Sequence, residues 1–221
     1  MIYGLTIVRA DGPAIEVDLL DGNISAIRTI DRTPDGGVSF ESLNAGRHCN
    51  TESFPTRMRW KGGKDQPILD FDRAHLINVS ERAKALIEEW EPGVHQFVPV
   101  DFVDAKGDVL ERRYALVICN RLDSVDREHT TFVLRRGKAW RAASDLAARG
   151  EFDEIPPRVD PSKPSKIVFN RAQIGRAHLW RDKHIDMGGP FVSDAFAAAL
   201  RRSDLTGLDI KPEGGGMEEV Q

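Results

Sequence analysis

The chain has 221 residues, 40% of them hydrophobic and 30% charged, which suits one large or two small domains with a packed core and a solvated surface. Its formal net charge of −4 argues against a nucleic-acid binder. No apolar run approaches the ~20 residues that span a bilayer, and Met1-Ile2-Tyr3-Gly4 shows no export signal, so no membrane role and a cytoplasmic site of action are expected. The charge is uneven: residues 1–110 carry 12 basic and 18 acidic side chains, and residues 111–221 carry 19 and 17. An acidic half can face a basic partner, although an ordinary solvated surface accounts for it better.

Residues 1–75 read as a strand- and loop-rich N-terminal region. Leu5-Thr6-Ile7-Val8, Ala14 to Leu20, Ile24 to Ile30 and Arg57 to Trp60 are the expected strands, separated by turns at Asp35-Gly36-Gly37 and Lys61-Gly62-Gly63-Lys64. Residues 76–212 read as the core region. A helix toward Trp90 is followed by strands over Val94 to Val103 and Val109 to Asn120, joined by the hairpin signal Ala105-Lys106-Gly107-Asp108. Thr130 to Leu134 suggests a further strand. Residues 138–149 read as a helix with Ala139, Ala142, Ala143, Leu146 and Ala147 on one face. Pro156, Pro157, Pro161 and Pro164 make 151–165 a linker candidate. Short strands are expected at Ile167-Val168-Phe169 and over Gly175 to Trp180, and residues 213–221, with their triple glycine, as a mobile tail. Hairpins outnumber parallel crossovers, which predicts an α+β fold with a mostly antiparallel sheet and a few packed helices.

One phrase occurs twice. Val79-Ser80-Glu81 opens the helix that runs to Trp90 and reaches Gly93. Val192-Ser193-Asp194 opens a second that runs to Arg202 and reaches Gly207. Each serine can accept a bond from a free amide of the first turn, and each acid sits at the positive end of the helix dipole. Gly93 and Gly207 permit the left-handed turn that stops a helix. Ala83, Leu86, Ile87 and Trp90, and Phe196, Ala199 and Leu200, follow helical spacing. The two units are either a structural repeat or two helices that share good caps. Neither offers a nucleophile, an acid–base pair or a phosphate loop.

The sharpest chemical candidate is His178, Asp182, His184 and Asp186. On an extended strand the last three share a side, and His with carboxylate suits a first-row metal, which would make the chain a metal-dependent hydrolase. The set is compressed into nine residues, however, and Arg181 and Lys183 stand ready to pair with its acids. Asp70 and Asp72 could form a carboxylate pair, and His48 precedes Cys49, but neither arrangement is a catalytic geometry in itself. Cys49 and Cys119 fit no metal or redox spacing, and Cys119 reads as a small buried apolar residue. The chain has no GxSxG, Walker glycine loop, HExxH or GxGxxG, so no cofactor and no catalytic role are expected.

Two blocks resemble a known family. Ile77-Asn78-Val79-Ser80-Glu81-Arg82 through Gly93-Val94-His95-Gln96-Phe97-Val98-Pro99-Val100 is similar to a recurring block of immunity family eleven of the bacterial polymorphic toxin systems. So is Phe191-Val192-Ser193-Asp194 through Gly207-Leu208-Asp209-Ile210-Lys211-Pro212. The resemblance covers roughly residues 68–212. It implies a cytoplasmic, non-catalytic protein that binds and neutralises a cognate toxin in competition between bacteria, and it carries over no catalytic residues. Such a function is a surface. The expected partner-binding residues are Glu88, Glu89, Trp90 and Glu91 at the end of the first repeated helix, with Trp180, Asp182 and His184.

Overall fold

The hairpin signal at Ala105-Lys106-Gly107-Asp108 closes a long antiparallel ladder. Gln96 to Val103 runs back along Val109 to Val117, with Gln96 opposite Val117 and a bulge at Phe102/Val103. Asp104 builds the turn: its Oδ1 accepts from the amides of Lys106 at 2.8 Å and Asp108 at 2.9 Å, and Gly107 takes φ +94°. Val98, Val100 and Phe102 are buried while Pro99 and Asp101 between them are not, the two-residue period of a strand with one inward face.

The computed structural model describes residues 1–8, 16–63, 66–186, 188–210 and 219–221. In chain order the elements are β1 (Ile2–Gly4), β2 (Thr6–Ile7), β3 (Val17–Leu19), β4 (Arg57–Trp60), β5 (Phe71–Asp72), β6 (Asn78–Val79), α1 (Glu81–Trp90), β7 (Gln96–Val103), β8 (Val109–Val117), β9 (Arg121–Leu122), β10 (Val133–Arg135), β11 (Ala139–Arg141), α2 (Ala143–Ala148), β12 (Phe169–Asn170), α3 (Arg171–Ile174), β13 (Leu179–Asp182), β14 (Phe191–Ser193), α4 (Asp194–Arg202), β15 (Leu208–Asp209) and β16 (Glu219–Val220). One sheet has the order β3-β4-β7-β8-β6-β5 and a second β1-β14-β13-β9, and smaller ladders join β10 to β11, β2 to β15 and β12 to β16. The β4–β7, β9–β13 and β12–β16 pairs are parallel and the other ladders antiparallel. The fold is α+β and mostly sheet, as expected.

The N-terminal strands are shared through the whole molecule. β1 pairs with β14, β2 with β15, and β4 with β7. Strands of residues 1–75 therefore complete the sheets of residues 76–212. Apolar clusters lie on both faces of the C-terminal half of β8 and of the β13–β14 pair. Leu116 enters one core cluster, with Phe71, Ile87, Phe196 and Leu200, while its neighbours Ala115 and Val117 enter a second, with Met58, Trp60 and Phe102. Leu179 and Val192 face the first cluster, and Trp180 and Phe191 face a third, with Ile2 and Phe169.

Several local expectations are corrected. Ile24–Ala26 is a 3-10 turn rather than part of a strand, and the following residues contribute one bridge, Thr29 to Cys49. Residues 139–141 are not helical. Arg136 (φ +50°) and Gly137 (φ +67°) turn the chain so that Val133–Arg135 pairs with Ala139–Arg141 before α2 begins at Ala143. Cross-strand pairing overrides the helical propensity of an alanine-rich run. The Pro-rich stretch 151–165 contains a 3-10 turn, Phe152–Glu154, and is anchored: Val159 packs with Val133, Ala143 and Leu146, and Arg158 donates to the carbonyls of Thr130 at 2.9 Å and Arg127 at 2.6 Å. The strand expected over Gly175 to Trp180 starts at Leu179, after the short helix α3 capped by Asn170. Ala14 and Ile15 of one expected strand, Lys64 of one turn, and the 211–218 part of the last unit and tail lie outside the described residues.

Candidate functional site

The recurring Val-Ser-acid phrase marks a reciprocal joint. Ser80 accepts from the amide of Ala83 at 3.2 Å, and Ser193 from that of Phe196 at 3.2 Å, so both caps form as their sequence requires. Ser80 Oγ also donates to Asp70 Oδ1 at 2.6 Å, and Asp70 Oδ2 accepts from the amide and hydroxyl of Thr206, each at 3.0 Å. Thr206 lies beyond α4. On the other side Ser193 Oγ lies 2.7 Å from His178 Nδ1, and the His178 amide donates to Glu91 Oε1 at 2.6 Å. Glu91 caps the end of α1. Each helix start is thus clasped, through one intermediary residue, to the segment that follows the other helix. This geometry favours a structural repeat over two helices that merely share caps.

The electrostatics of the joint is worked out residue by residue. Burial opposes the charge on Asp70, but the bonds from Ser80 and Thr206 outweigh it and hold its carboxyl below the usual range. Glu91 is buried and satisfied, accepting from His178, from Asn120 Nδ2 at 3.0 Å and from the His95 Nε2 hydrogen. The amide of Cys119 donates to His95 Nδ1 at 3.1 Å, which leaves the ring proton on Nε2. Trp90 meets the His178 ring edge-on at 4.8 Å and Phe196 at 5.6 Å.

The seven residues expected at a partner surface are divided by burial. Glu91, Trp180, Asp182 and His184 lie in the interior, and Trp90 is half-buried against the core. Trp180 is enclosed because β13 has a core on each face, and its indole donates to Ser124 Oγ at 3.1 Å. Glu88 and Glu89 remain at the surface. Glu88 is half-exposed and 3.0 Å from Lys84 one turn back, and Glu89 is exposed. Neither has a basic residue beside it in the last turn of α1.

The His178–Asp186 segment does not converge. β13 ends at Asp182 and the chain turns through Lys183 and His184, so the shared strand face expected for Asp182, His184 and Asp186 is not formed. Asp182 accepts from the amide and hydroxyl of Ser124 and from the amide of His184, within a burial that raises its pKa. His184 Nδ1 lies 2.8 Å from the carbonyl of Lys138, and Asp186 pairs with Arg141 at 3.5 Å. Among the described residues no group of three or more His, Cys, Asp or Glu side chains could hold a metal ion. Asp70 is tied to Ser80 and Thr206 rather than to Asp72, and burial pushes the Cys49 thiol up to about 11 and, as the largest influence, Cys119 up to about 12. None of these groups is an activated nucleophile or a matched acid–base pair.

Sequence reasoning missed a cleft of about 500 Å³ whose lining includes Leu5, Arg73, His75, Ile118, Arg181 and Phe191. Its lining comes from separate stretches of chain; Asp182 and Asp186 of the metal candidate and the interleaved Arg181 belong to it, but no sequence pattern joins them to Leu5 or Arg73.

The fold is α+β and mostly sheet, and the polar clusters described above clasp its own elements together. The profile of the immunity protein family (Imm11) matches residues 24–214. That span is most of the chain, and the protein belongs to this family; the match reaches well upstream of the blocks that first suggested it. No curated protein matches the chain significantly. No described helix is long and apolar enough to cross a membrane.

Proposed function

We propose that this protein neutralises one cognate bacterial toxin by binding it in the cytoplasm, without turning over a substrate, as part of a polymorphic toxin system. The family match over residues 24–214 carries this reading. It is supported by the polar groups of the molecule, which are spent on holding helices and sheets together rather than on a reactive constellation.

The outer face at the end of α1 is the first part of the binding surface. Acids at a helix C-terminus oppose the macrodipole, and the Lys84 pair relieves this only for Glu88. A basic patch on the toxin would relieve both. Glu91 belongs to the interior and takes no part. The test is co-expression of the toxin encoded by the adjacent gene with wild type and with a Glu88→Lys/Glu89→Lys variant. Wild type rescues growth and co-purifies with the toxin, and the variant associates more slowly, with a weaker dependence on salt. Wild type that neither rescues nor co-purifies refutes the immunity reading. A variant that matches wild type refutes only this patch.

A further inference from the structure

Arg113, Arg121 and Arg181 have guanidinium groups drawn into the molecule, and the first two have several partners each. Arg113 donates to Glu111 at 3.0 Å and to the carbonyls of Leu69 and Asp70, and lies over the Phe102 ring. Arg121 donates twice to Asp35, at 2.6 and 3.0 Å, and to the carbonyls of Ala45 and Val38. Arg181 has no such set. Among the described residues the one hydrogen bond of its side chain is a long 3.5 Å contact to the carbonyl of Gly188, and it has no ion pair. Beside its desolvation, the charge that acts on it is another cation, the exposed Arg73, likewise without an ion pair among the described residues. Desolvation and that repulsion bring Arg181 down to about 10.

Both arginines line the same cleft. Leu5, Ile118 and Phe191 form part of its wall, and the low-dielectric side strengthens any ion pair formed within it. Other charged groups along the lining are already committed. Asp186 takes Ser39 at 3.0 Å and Arg141, Asp182 faces Ser124, Arg121 holds Asp35, and His75 Nε2 lies 2.8 Å from the Val17 carbonyl. Arg73 and Arg181 each bring a forked set of donors to this one cleft, and such donors suit a carboxylate.

We propose that the cleft between Arg73 and Arg181 receives a carboxylate, and that in the toxin complex this is an Asp or Glu side chain of the toxin. The choice of occupant rests on the immunity reading above. It is favoured by the build of the cleft, a partly desolvated arginine that shares its lining with Leu5, Ile118 and Phe191, since arginines in desolvated pockets are common interface anchors. The chain as a whole is acidic, so this local positive spot selects where an acidic group of the partner can seat.

The full chain is tested first with citrate as probe, against potassium chloride at matched ionic strength. Citrate raises the melting temperature of wild type by about 3–6 °C at ten times its dissociation constant. Arg181→Met and Arg73→Gln lose the response. Arg181→Met alone melts no lower than wild type, because a desolvated and repelled charge has been removed; a merely structural arginine would give the opposite result. Equal citrate responses in wild type and variants overturn the proposal. The second arm measures binding of the toxin domain encoded by the adjacent gene. The double variant binds at least about 30-fold more weakly, the scale of a lost anchor. Unchanged toxin affinity beside a lost citrate response overturns the toxin as occupant and assigns the cleft to a free anion. Wild type that binds no toxin overturns the immunity reading and that occupant with it, and the citrate arm still decides the cleft.

Discussion

Replacing Asp70 with Ala opens the clasp between the start of α1 and the turn after α4. The carboxylate accepts from the Ser80 hydroxyl at 2.6 Å and from the amide and hydroxyl of Thr206 at 3.0 Å each. Bonds to a charged acceptor contribute about 1.5–3 kcal/mol each when desolvated. The Asp70 side chain is 11% exposed and Thr206 is exposed, so water replaces part of what is lost on that side. We expect a net loss of about 2 kcal/mol in urea unfolding at pH 7, with the denaturant dependence unchanged. A double-mutant cycle with Thr206→Val gives a coupling of about 1 kcal/mol, since the two residues share a network. The pH dependence has a definite sign. The folded pKa of Asp70 lies below the ordinary aspartate value of 3.8, so its charge contributes fully above that value and the contribution fades as pH falls through the folded pKa. The stability gap between wild type and Asp70→Asn is therefore constant from pH 6 to 8 and closes below about pH 4. A loss under about 0.5 kcal/mol for Asp70→Ala, or a gap that widens in acid, refutes the clasp.

Leu200 is buried in the first core cluster, and Leu200→Ala costs about 2–5 kcal/mol in the same assay; Leu86, only partly buried there, costs less, and a reversed order would place the wrong faces inward. Gly207→Ala prevents normal folding, because a Cβ at φ +85° would stand 1.9 Å from the Phe71 carbonyl oxygen; a soluble variant with wild-type melting temperature contradicts this. With thiols at about 11 and about 12, Cys49 and Cys119 react with iodoacetamide at pH 8 at least about 100-fold more slowly in the folded protein than in urea; fast native labelling would show that burial does not control them.

Gly207 shows how far a correct local expectation can go. The sequence predicts a glycine with positive φ, and it is found. Yet the left-handed residue that directly follows α4 is Asp204, at φ +52°, and Gly207 serves a different need, the close passage of its backbone over Phe71. The caps at Ser80 and Ser193, the Asp104–Asp108 turn and the apolar spacing of α1 and α4 were legible because their causes lie within a few residues of each other. The α+β class followed from counting such local signals.

Tertiary structure decided what each surface became. Trp180, Asp182 and His184 carried the residue types of a partner or metal site, and a second core packed behind β13 took them inside. The Asp70–Thr206 clasp joins residues 136 positions apart, and the Arg73–Arg181 cleft gathers side chains from separate strands and loops. No local pattern encodes such encounters. Helix caps and turns respond to a neighbouring amide, whereas burial, unpaired charge and clefts depend on which faces the sheets bring together, and only the closed fold sets that.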